Sequence, residues 1–314
     1  VNQLWHTDFH SGSRTVLLSD GQYVTPRCLC VIDDHSRLCC HVQWYLAEDA
    51  DSFAHGLGQA FLKHGLPAAL MTDNGGAMTA DEIREALGSK LGVVHEHTLP
   101  YSPYQNAKQE FVWTRVEGRL MAMLEGVRHL DLAMLNEATC AWADLEYNRT
   151  VHEELGTTPL DRFLAGKDVG RPAPTPDDLR FAFMQEQTRS LRRSDGTVKI
   201  DARRFEIPSA YRTIERPQLR WASWDLSRVF LVDEATGKAL ARIYPQDKTG
   251  NADGYRRVLA PVADRATSSV PLECGVAPLL EKLMADYKSR GLLPAYLPKD
   301  DLGGDTAGAR KGGK

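Results

Sequence analysis

The sequence predicts an α/β domain with a mixed five-stranded sheet, followed by a small all-β barrel. Three observations support this fold class. Alternating or continuous apolar runs, which are typical of strands, occupy much of residues 3–46. From there to residue 147, helical spacing alternates with short strand-like runs. After a break at residues 165–178, short apolar runs are separated by turn sequences, as in small barrels.

The α/β part can be followed element by element. Phe53, Leu57 and Phe61 recur at helical spacing, which predicts a helix at 51–64 that buries one face. Thr79 is predicted to cap the next helix, because its hydroxyl can accept a hydrogen bond from a free amide of the first turn. The predicted strands are 3–10, 25–33, 38–46, 68–72 and 93–98, and the remaining predicted helices are 79–91, 105–124 and 132–147.

Changes in composition mark the domain boundaries. Residues 165–178 contain three prolines and two glycines, which is typical of a linker. We therefore divide the chain into a core at 1–164, a linker at 165–178, a barrel at 179–262 and a tail at 263–314. The barrel strands are predicted at 197–207, 218–224, 228–233 and 239–244, and the tail is predicted to hold one amphipathic helix at 277–290 and a disordered end.

Composition also excludes several classes of protein. Hydrophobic residues make up 42% and charged residues 25%, the balance of a globular protein, and no apolar run approaches the ~18 residues of a membrane span. Six cysteines are too few for a disulfide scaffold, and Cys28 and Cys30 alternate within an apolar run, as core residues of a strand do. These features predict a reduced, cytoplasmic protein. No phosphate-binding loop of the GxxxxGK[ST] form is present, so we expect no ATP hydrolysis by this chain.

Positive charge is concentrated in one region of a chain with a net charge of −4. Residues 180–220 contain nine Arg and one Lys against five acidic residues, a local net charge of +5. The sequence therefore predicts a surface that binds DNA phosphates, and the alternative is an ordinary solvated charged face. The predicted contacts are Arg192, Arg193, Arg203 and Arg204.

Three carboxylates are predicted to lie close together. Asp8 is in the first strand, Asp73 ends the fourth strand, and Glu110 is in the first two turns of a helix. If the first strand is central and neighbours the fourth, Asp8 and Asp73 meet and the helix brings Glu110 to them. Carboxylates this close repel one another unless cations neutralise them, and oxygen ligands suit Mg²⁺ or Mn²⁺. Two such ions can activate a hydroxyl and stabilise the leaving oxygen of a phosphodiester.

The segments around these acids resemble the core of the retroviral-integrase-like DDE recombinases. The resemblance covers about residues 1–165, and 36 residues separate Asp73 from Glu110, as in that family's short second interval. Two positions depart from the family pattern, since Ala107 replaces a common Gly and Phe111 follows the Glu where many bacterial relatives carry Arg. The matching segments are Trp5-His6-Thr7-Asp8, Val31-Ile32-Asp33-Asp34-His35-Ser36-Arg37, Thr72-Asp73-Asn74-Gly75-Gly76, the run from Pro100 to Glu110, Tyr147-Asn148-Arg149, His152 and Gly156-Thr157-Thr158-Pro159-Leu160.

The resemblance implies an RNase H-like fold and a DDE transposase or integrase. Its three acids would hold two Mg²⁺ or Mn²⁺ ions per active site. The reaction would be metal-dependent cleavage at DNA ends, followed by strand transfer of the freed 3′-hydroxyl into target DNA. Synapsis of two ends requires at least two protomers, so we expect a homo-oligomer on DNA. Lys108 matches a family lysine and is a predicted phosphate contact, with a plain surface lysine as the alternative.

Two further predictions concern the second half of the chain. The segments Asp195-Gly196-Thr197-Val198, 204–208 and 224–229 resemble the C-terminal β-barrel of the phage Mu transposase group, which implies a role in DNA binding or assembly. In the tail, Val276, Leu279, Leu280 and Leu283 form an apolar stripe. This stripe predicts docking to a partner, such as the AAA+ ATPase that serves Mu-type transposases, or packing against the chain's own core.

Two other functions remain as alternatives at this point. One is a regulatory relative that binds DNA without cutting it, although all three acids are present. The other is an RNA-cleaving hydrolase on the same fold, which would not need the basic barrel. Metal-dependent nicking of DNA carrying the element's ends would separate the first alternative from an active transposase.

Overall fold

The chain forms two structural units. The computed structural model describes residues 1–98, 107–222, 225–246, 275–291 and 294–297 of the 314-residue chain. The first unit consists of Val1–Phe183 together with Glu273–Lys314, and the second consists of Met184–Leu272.

The first unit contains a mixed five-stranded sheet in the order β5-β4-β1-β6-β7. Strand β1 is central, antiparallel to β4 and parallel to β6, and β7 is parallel to β6. This is the sheet of the RNase H-like core, and it confirms the predicted fold class. The strands of this unit are β1 (Leu4–Ser11), β2 (Val16–Leu17), β3 (Tyr23–Val24), β4 (Arg27–Asp33), β5 (Cys39–Tyr45), β6 (Ala69–Thr72) and β7 (Val94–His97).

Helices cover both faces of this sheet. The α-helices described in this unit are α1 (Ala50–His64), α2 (Gly76–Thr79), α3 (Asp81–Glu85), α4 (Ala107–Arg115), α5 (Met121–Met123), α6 (Leu132–Leu145), α7 (Pro159–Ala165), α8 (Pro176–Ala182) and α9 (Pro278–Ser289). On one face, Phe61 of α1 stacks on Trp5 with ring centroids 5.8 Å apart. On the other face, Cys28 and Cys30 are buried in one cluster with Val116 of the helical run after α4. Strand β4 is apolar on both sides because both sides are buried.

Side chains cover the outer edge of β5. Asn136 of α6 accepts a hydrogen bond from the Trp44 amide and donates one to the Trp44 carbonyl, at 2.7 and 3.0 Å. Asn148 pairs with both backbone groups of Cys39 in the same way, at 2.9 and 3.1 Å. An exposed strand edge invites pairing with other chains, and these two asparagines occupy the backbone donors and acceptors of two residues of this edge. This gives a structural reason for the asparagine in Tyr147-Asn148-Arg149.

Two of the predicted helices are interrupted. The helix predicted at 79–91 consists of α2, α3 and a π-helical turn at Ala86–Lys90, and Thr79 is the last residue of α2 rather than a cap. The helix predicted at 105–124 has a π-helical turn at Val116–Leu120 between α4 and α5. Each π-helical turn contains a glycine, the residue that stabilises an α-helix least apart from proline.

The predicted linker at residues 165–178 is wrong, because this segment belongs to the first unit. Arg171 and Leu66 exchange two backbone hydrogen bonds, of 2.7 and 2.9 Å. The Arg171 guanidinium donates to the carbonyls of Leu91 and Gly92 at 2.7 and 2.8 Å. Thr175 then caps α8, its hydroxyl accepting from the Asp178 amide. This proline-containing segment is therefore an extended stretch of backbone, paired with Leu66, that leads into the start of α8. It is not a flexible connection.

The second unit is a six-stranded antiparallel sheet in the order β8-β11-β12-β13-β10-β9. Its strands are β8 (Gln185–Thr188), β9 (Thr197–Ile200), β10 (Arg203–Glu206), β11 (Gln218–Ala222), β12 (Asp225–Val232) and β13 (Ala239–Pro245). Residues from five of its strands, including Phe205, Trp221 and Ile243, share one buried cluster, so the sheet curls around its own core as a half-barrel. The single strand predicted at 197–207 is the hairpin β9–β10, whose turn holds Asp201 at a φ of 50°.

Of the two alternatives for the tail, the structure favours packing against the chain's own core for the residues that it describes. Val276, Leu280, Met284 and Tyr287 are buried in the cluster that contains α6. Lys288 forms an ion pair of 2.8 Å with Glu137 of α6. Three residues of the predicted stripe, Val276, Leu280 and Leu283, therefore pack against the chain's own core, whereas Leu279 is exposed. The predicted disorder after residue 297 lies outside the described residues. Among the described helices, none has the length and apolar character needed to cross a membrane.

Candidate active site

The order of the strands brings Asp8 next to Asp73. Strands β1 and β6 run parallel with His6 opposite Met71, so two residues further along, Asp8 is level with Asp73. Asp73 directly follows the last residue of β6. Both residues are half-buried. The predicted neighbourhood of the first and fourth strands of the core is thereby confirmed.

Helix α4 is fixed to the same stretch of β1. The Gln109 side chain donates to the Cys30 carbonyl at 3.3 Å, and Cys30 is the strand partner of Asp8. Farther along, the His10 ring stacks on Trp113 at 5.0 Å, and His10 Nε2 lies 3.0 Å from Glu117 Oε1. Residues later in β1 thus contact residues later in the helical segment, so α4 runs alongside β1 in the same direction.

The position of Glu110 follows from these contacts. His10 and Asp8 point to the same side of β1, because side chains alternate along a strand. Stepping back from His10 to Asp8 covers ~6.6 Å, and stepping back from Trp113 to Glu110 covers ~4.5 Å. Glu110 is in the first turn of α4, next to the buried Gln109, and its side chain is exposed.

Carboxylate oxygens of Asp8, Asp73 and Glu110 are the donors that Mg²⁺ and Mn²⁺ prefer, so their chemistry fits the expected ions. Within the ranges that the structure describes, however, no three acidic, histidine or cysteine side chains are gathered closely enough to hold a metal ion. The matched segment just before α4, residues 99–106, lies outside those ranges.

Asp73 is held by its own turn. Its Oδ1 accepts a hydrogen bond of 2.8 Å from the Gly75 amide. A Cβ atom on Gly75 would lie 2.9 Å from that same Oδ1, closer than such atoms normally approach, whereas a Cβ on the adjacent Gly76 would meet nothing within 4 Å. The turn thus needs glycine at position 75 to keep the carboxylate where it is.

We expect Gly75→Ala to weaken the binding of Mn²⁺ by about tenfold, in the range seen when the groups that orient a metal ligand are removed. The added methyl group must displace the Asp73 carboxylate. The measurement is a Mn²⁺ titration followed by electron paramagnetic resonance of the free ion. Gly76→Ala is the matched control and should bind Mn²⁺ as the unchanged chain does. Equal affinities for both variants would contradict this account of the turn.

Another acidic residue, Asp34, links β1 to α4. His6 Nε2 lies 2.7 Å from Asp34 Oδ1, and Lys108 Nζ forms an ion pair with the same oxygen. The hydrogen bond with His6 and the Lys108 ammonium lower the pKa of the Asp34 carboxyl well below its usual range. Lys108, predicted to contact DNA phosphate, is thus half-buried beside the candidate site and paired with Asp34. Asp33, by contrast, is fully buried and accepts hydrogen bonds from Asn2 and Ser36.

The predicted DNA contacts lie in the second unit. Arg192 and Arg193 are exposed and form ion pairs with Asp195 and Glu215, respectively. Arg203 is exposed, and half-buried Arg204 donates to the Thr197 hydroxyl at 3.3 Å. Arg220, which contributes to the same local charge, is 5% exposed and paired with Glu186, so it has a structural role.

The N-terminal part of the chain matches a known protein family. Residues 1–103 match the family model of the integrase core domain. No curated protein matches the chain at a significant level.

Solved structures similar to this chain include three integrases. The catalytic core of BIV integrase is 22% identical, with a TM-score of 0.40, over 52% of this chain and 95% of its own. The catalytic core of HTLV-2 integrase, solved with magnesium, is 18% identical, with a TM-score of 0.40, over 51% of this chain and 95% of its own. A simian T-cell lymphotropic virus intasome in complex with a PP2A regulatory subunit is 16% identical, with a TM-score of 0.45, over 78% of this chain and 76% of the matched chain.

The match to the family model covers the strands that form the central sheet. The matched range contains Asp8, Asp73 and all five strands of the central sheet. Residues 1–103 of this chain are therefore similar to the integrase core domain.

Proposed function

We propose that this chain is a DNA transposase or integrase of the DDE type. Its reaction would be metal-dependent cleavage at the ends of a mobile DNA element, followed by transfer of the freed 3′-hydroxyl into target DNA. The observation that carries the proposal is the register of β1 and β6, which aligns Asp8 with Asp73, together with the contacts that fix α4 beside β1.

Asp8, Asp73 and Glu110 would hold two Mg²⁺ or Mn²⁺ ions. Once bound, the ions would activate the attacking hydroxyl and stabilise the leaving oxygen. Each chemical step exchanges one phosphate ester bond for another bond to phosphorus. In cleavage a water oxygen replaces the 3′-oxygen, which leaves as a hydroxyl, and in joining that hydroxyl replaces a 3′-oxygen of the target strand.

The chain's own residues would hold the carboxylates and the helix in place. The Asp73 turn orients one carboxylate, while Gln109 and Trp113 hold the helix that carries Glu110. Asp34 contacts both His6 of β1 and Lys108 of α4, and so it ties the start of α4 to β1. Glu110 would then be presented from a fixed helix. Preorganisation of this kind limits reorganisation during the reaction.

The test is nicking and joining of a labelled DNA that carries the element's ends, with Mg²⁺, with Mn²⁺ and without divalent metal. Metal-dependent nicking followed by joining of the 3′-end supports the proposal. Binding of the end DNA without nicking in either metal would instead support the regulatory relative. Preferential cleavage of RNA would support the hydrolase.

The second unit would bind DNA through phosphates. We expect the quadruple variant Arg192→Ala, Arg193→Ala, Arg203→Ala, Arg204→Ala to lower the slope of log K against log salt by about 0.9 for each arginine that binds a phosphate. The ion pairs with Asp195 and Glu215 should exchange for phosphate on binding, since both arginines are exposed and surface ion pairs have a small net energy.

Fluorescence anisotropy of end DNA at several salt concentrations measures this slope. Lys238→Ala, which removes an exposed charge of the same unit outside the predicted surface, is the control. A quadruple variant with the slope and affinity of that control would rule out this surface as the DNA contact.

We also propose that the chain forms a homo-oligomer on paired DNA ends. It would act in the cytoplasm, at the nucleoid. A partner ATPase, if one acts, would have to use surface other than the buried side of α9. Analytical ultracentrifugation with and without end DNA tests the oligomer, which should form when two ends are bound.

A further inference from the structure

Three polar side chains form a cluster beside Asp73 at the edge of the sheet, and two of them contact its backbone carbonyl. Strands β6 and β7 are parallel, with Leu70 opposite His95 and Thr72 opposite His97. The Thr72 hydroxyl lies 3.0 Å from His95 Nε2 and 3.1 Å from His97 Nδ1. It also donates to the Asp73 carbonyl at 2.9 Å, and His97 Nδ1 lies 3.0 Å from the same carbonyl.

The Asp73 carbonyl oxygen determines which atoms of this group carry a hydrogen. A carbonyl oxygen can only accept, so His97 must carry its proton on Nδ1 and donate to Asp73. The single hydroxyl hydrogen of Thr72 is directed to the same carbonyl, so His95 must donate from Nε2 to the hydroxyl oxygen. Each of these three hydrogens then has an acceptor, whereas the 3.1 Å contact between Thr72 Oγ1 and His97 Nδ1 has no hydrogen of its own, and the buried His95 Nδ1 has no partner among the described residues.

The result is that Asp73 is fixed from two sides. Its carbonyl receives hydrogen bonds from Thr72 and His97, and its carboxylate accepts one from Gly75. The Thr98 amide also donates to the Thr72 carbonyl at 2.8 Å. The peptide that carries the carboxylate therefore has little freedom to rotate away from Asp8.

Ordinary strand pairing does not require this arrangement. Parallel strands are joined by backbone hydrogen bonds alone, whatever their side chains are. Here two histidines, separated by one residue and so on the same side of β7, direct ring nitrogens to one hydroxyl. Glu96, which lies between them, points to the other side.

We propose that His95 and His97 are positioning residues that hold Asp73 in place for metal binding, acting through the Thr72 hydroxyl and the Asp73 carbonyl. The inference rests on the proposed function, since it assumes that Asp73 is a metal ligand. Neither histidine is assigned contact with metal or DNA. Mutation of groups that orient a metal ligand in this way commonly lowers metal affinity by about 10–100-fold.

The test is Mn²⁺ binding by the full chain, followed by electron paramagnetic resonance of the free ion, with no DNA present. We expect His97→Ala to weaken binding by about tenfold. His97→Asn should restore most of it, because its amide nitrogen occupies the place of Nδ1 and can donate to the same carbonyl. Glu96→Gln, on the other side of the strand, is the control and should bind Mn²⁺ normally. Melting temperatures of all variants are measured in parallel.

A second pair of variants keeps the proposal testable if His97→Ala folds poorly. Thr72→Val removes the hydroxyl at nearly constant volume and should weaken Mn²⁺ binding, whereas Thr72→Ser keeps the hydroxyl and should not. The proposal is overturned if His97→Ala and Thr72→Val bind Mn²⁺ like the unchanged chain, or if His97→Asn is as weak as His97→Ala.

Asp73→Asn separates this inference from the proposed function. If Asp73→Asn weakens Mn²⁺ binding and the histidine variants do not, the metal site stands and the positioning role fails. If Asp73→Asn leaves Mn²⁺ binding unchanged, Asp73 is not a ligand, and both the proposed site and the positioning role fail.

Discussion

Asp8→Asn, Asp73→Asn and Glu110→Gln are each expected to abolish metal-dependent cleavage and joining of DNA ends. Each change removes one negative charge from the predicted metal site while nearly preserving side-chain shape. The loss should be at least about 10³-fold in rate, which corresponds to about 4 kcal/mol of transition-state stabilisation. Rates of nicking and of strand transfer on end DNA measure it.

The three variants should keep their fold and their affinity for DNA, because none of these side chains belongs to the buried core. Glu125→Gln, at an exposed position after α5, controls for the loss of a negative charge and should react normally. Strand transfer at the normal rate by any one of the three variants would remove that residue from the site.

The Asp8–Asp73 half of this site could be predicted from the sequence because strand order determines it. Asp8 lies in a predicted strand and Asp73 begins a turn, and both patterns are local. A central first strand beside the fourth then fixes their register, which the pairing of His6 with Met71 confirms. Local patterning and strand order together suffice for residues that β-strands position.

The contacts that support the site could not be predicted in the same way. His6 and Lys108 meet at Asp34 across 28 and 74 residues of chain, respectively. Histidine, lysine and aspartate are common on solvated surfaces, so nothing in their spacing indicates a shared contact. The same holds for Thr72 with His95, 23 residues away, where only the register of β6 and β7 brings the groups together.

Helix ends and segment roles were predicted less well than strands for a physical reason. Thr79 has a residue type typical of a cap, but the chain already turns into α2 at Gly76. Prolines and glycines at 165–178 are compatible with a linker or with a paired, extended path, and the backbone bonds between Arg171 and Leu66 favour the second. In the second case a tertiary contact overrides a weak local preference.

The amphipathic helix of the tail illustrates the same limit. An apolar stripe predicts only that one face of a helix is covered, by the same chain or by another. In the structure α9 lies on α6, with Leu280 fully buried and Leu279 44% exposed. Residue Gly126 closely approaches Gly275 at the start of this segment, where a side chain on either residue would meet backbone atoms.

We therefore expect Leu280→Ala to destabilise the first unit by about 2–5 kcal/mol, the usual cost of removing a large buried aliphatic side chain. For a unit of this size, about 3 kcal/mol corresponds to a fall in melting temperature of about 6–12 °C. Leu279→Ala is the matched control, because it makes the same chemical change at the adjacent, exposed position, and it should change stability by no more than about 0.5 kcal/mol.

Deleting residues 275–314 should have a larger effect than Leu280→Ala, since it also uncovers the apolar face of α6 that Val276, Met284 and Tyr287 contact. Urea unfolding and thermal melting measure these changes, with end-DNA binding as a check on the fold. A melting temperature for Leu280→Ala equal to that of Leu279→Ala, or a truncated chain as stable as the full one, would show that α9 is not part of the core and would restore the tail as a candidate docking element.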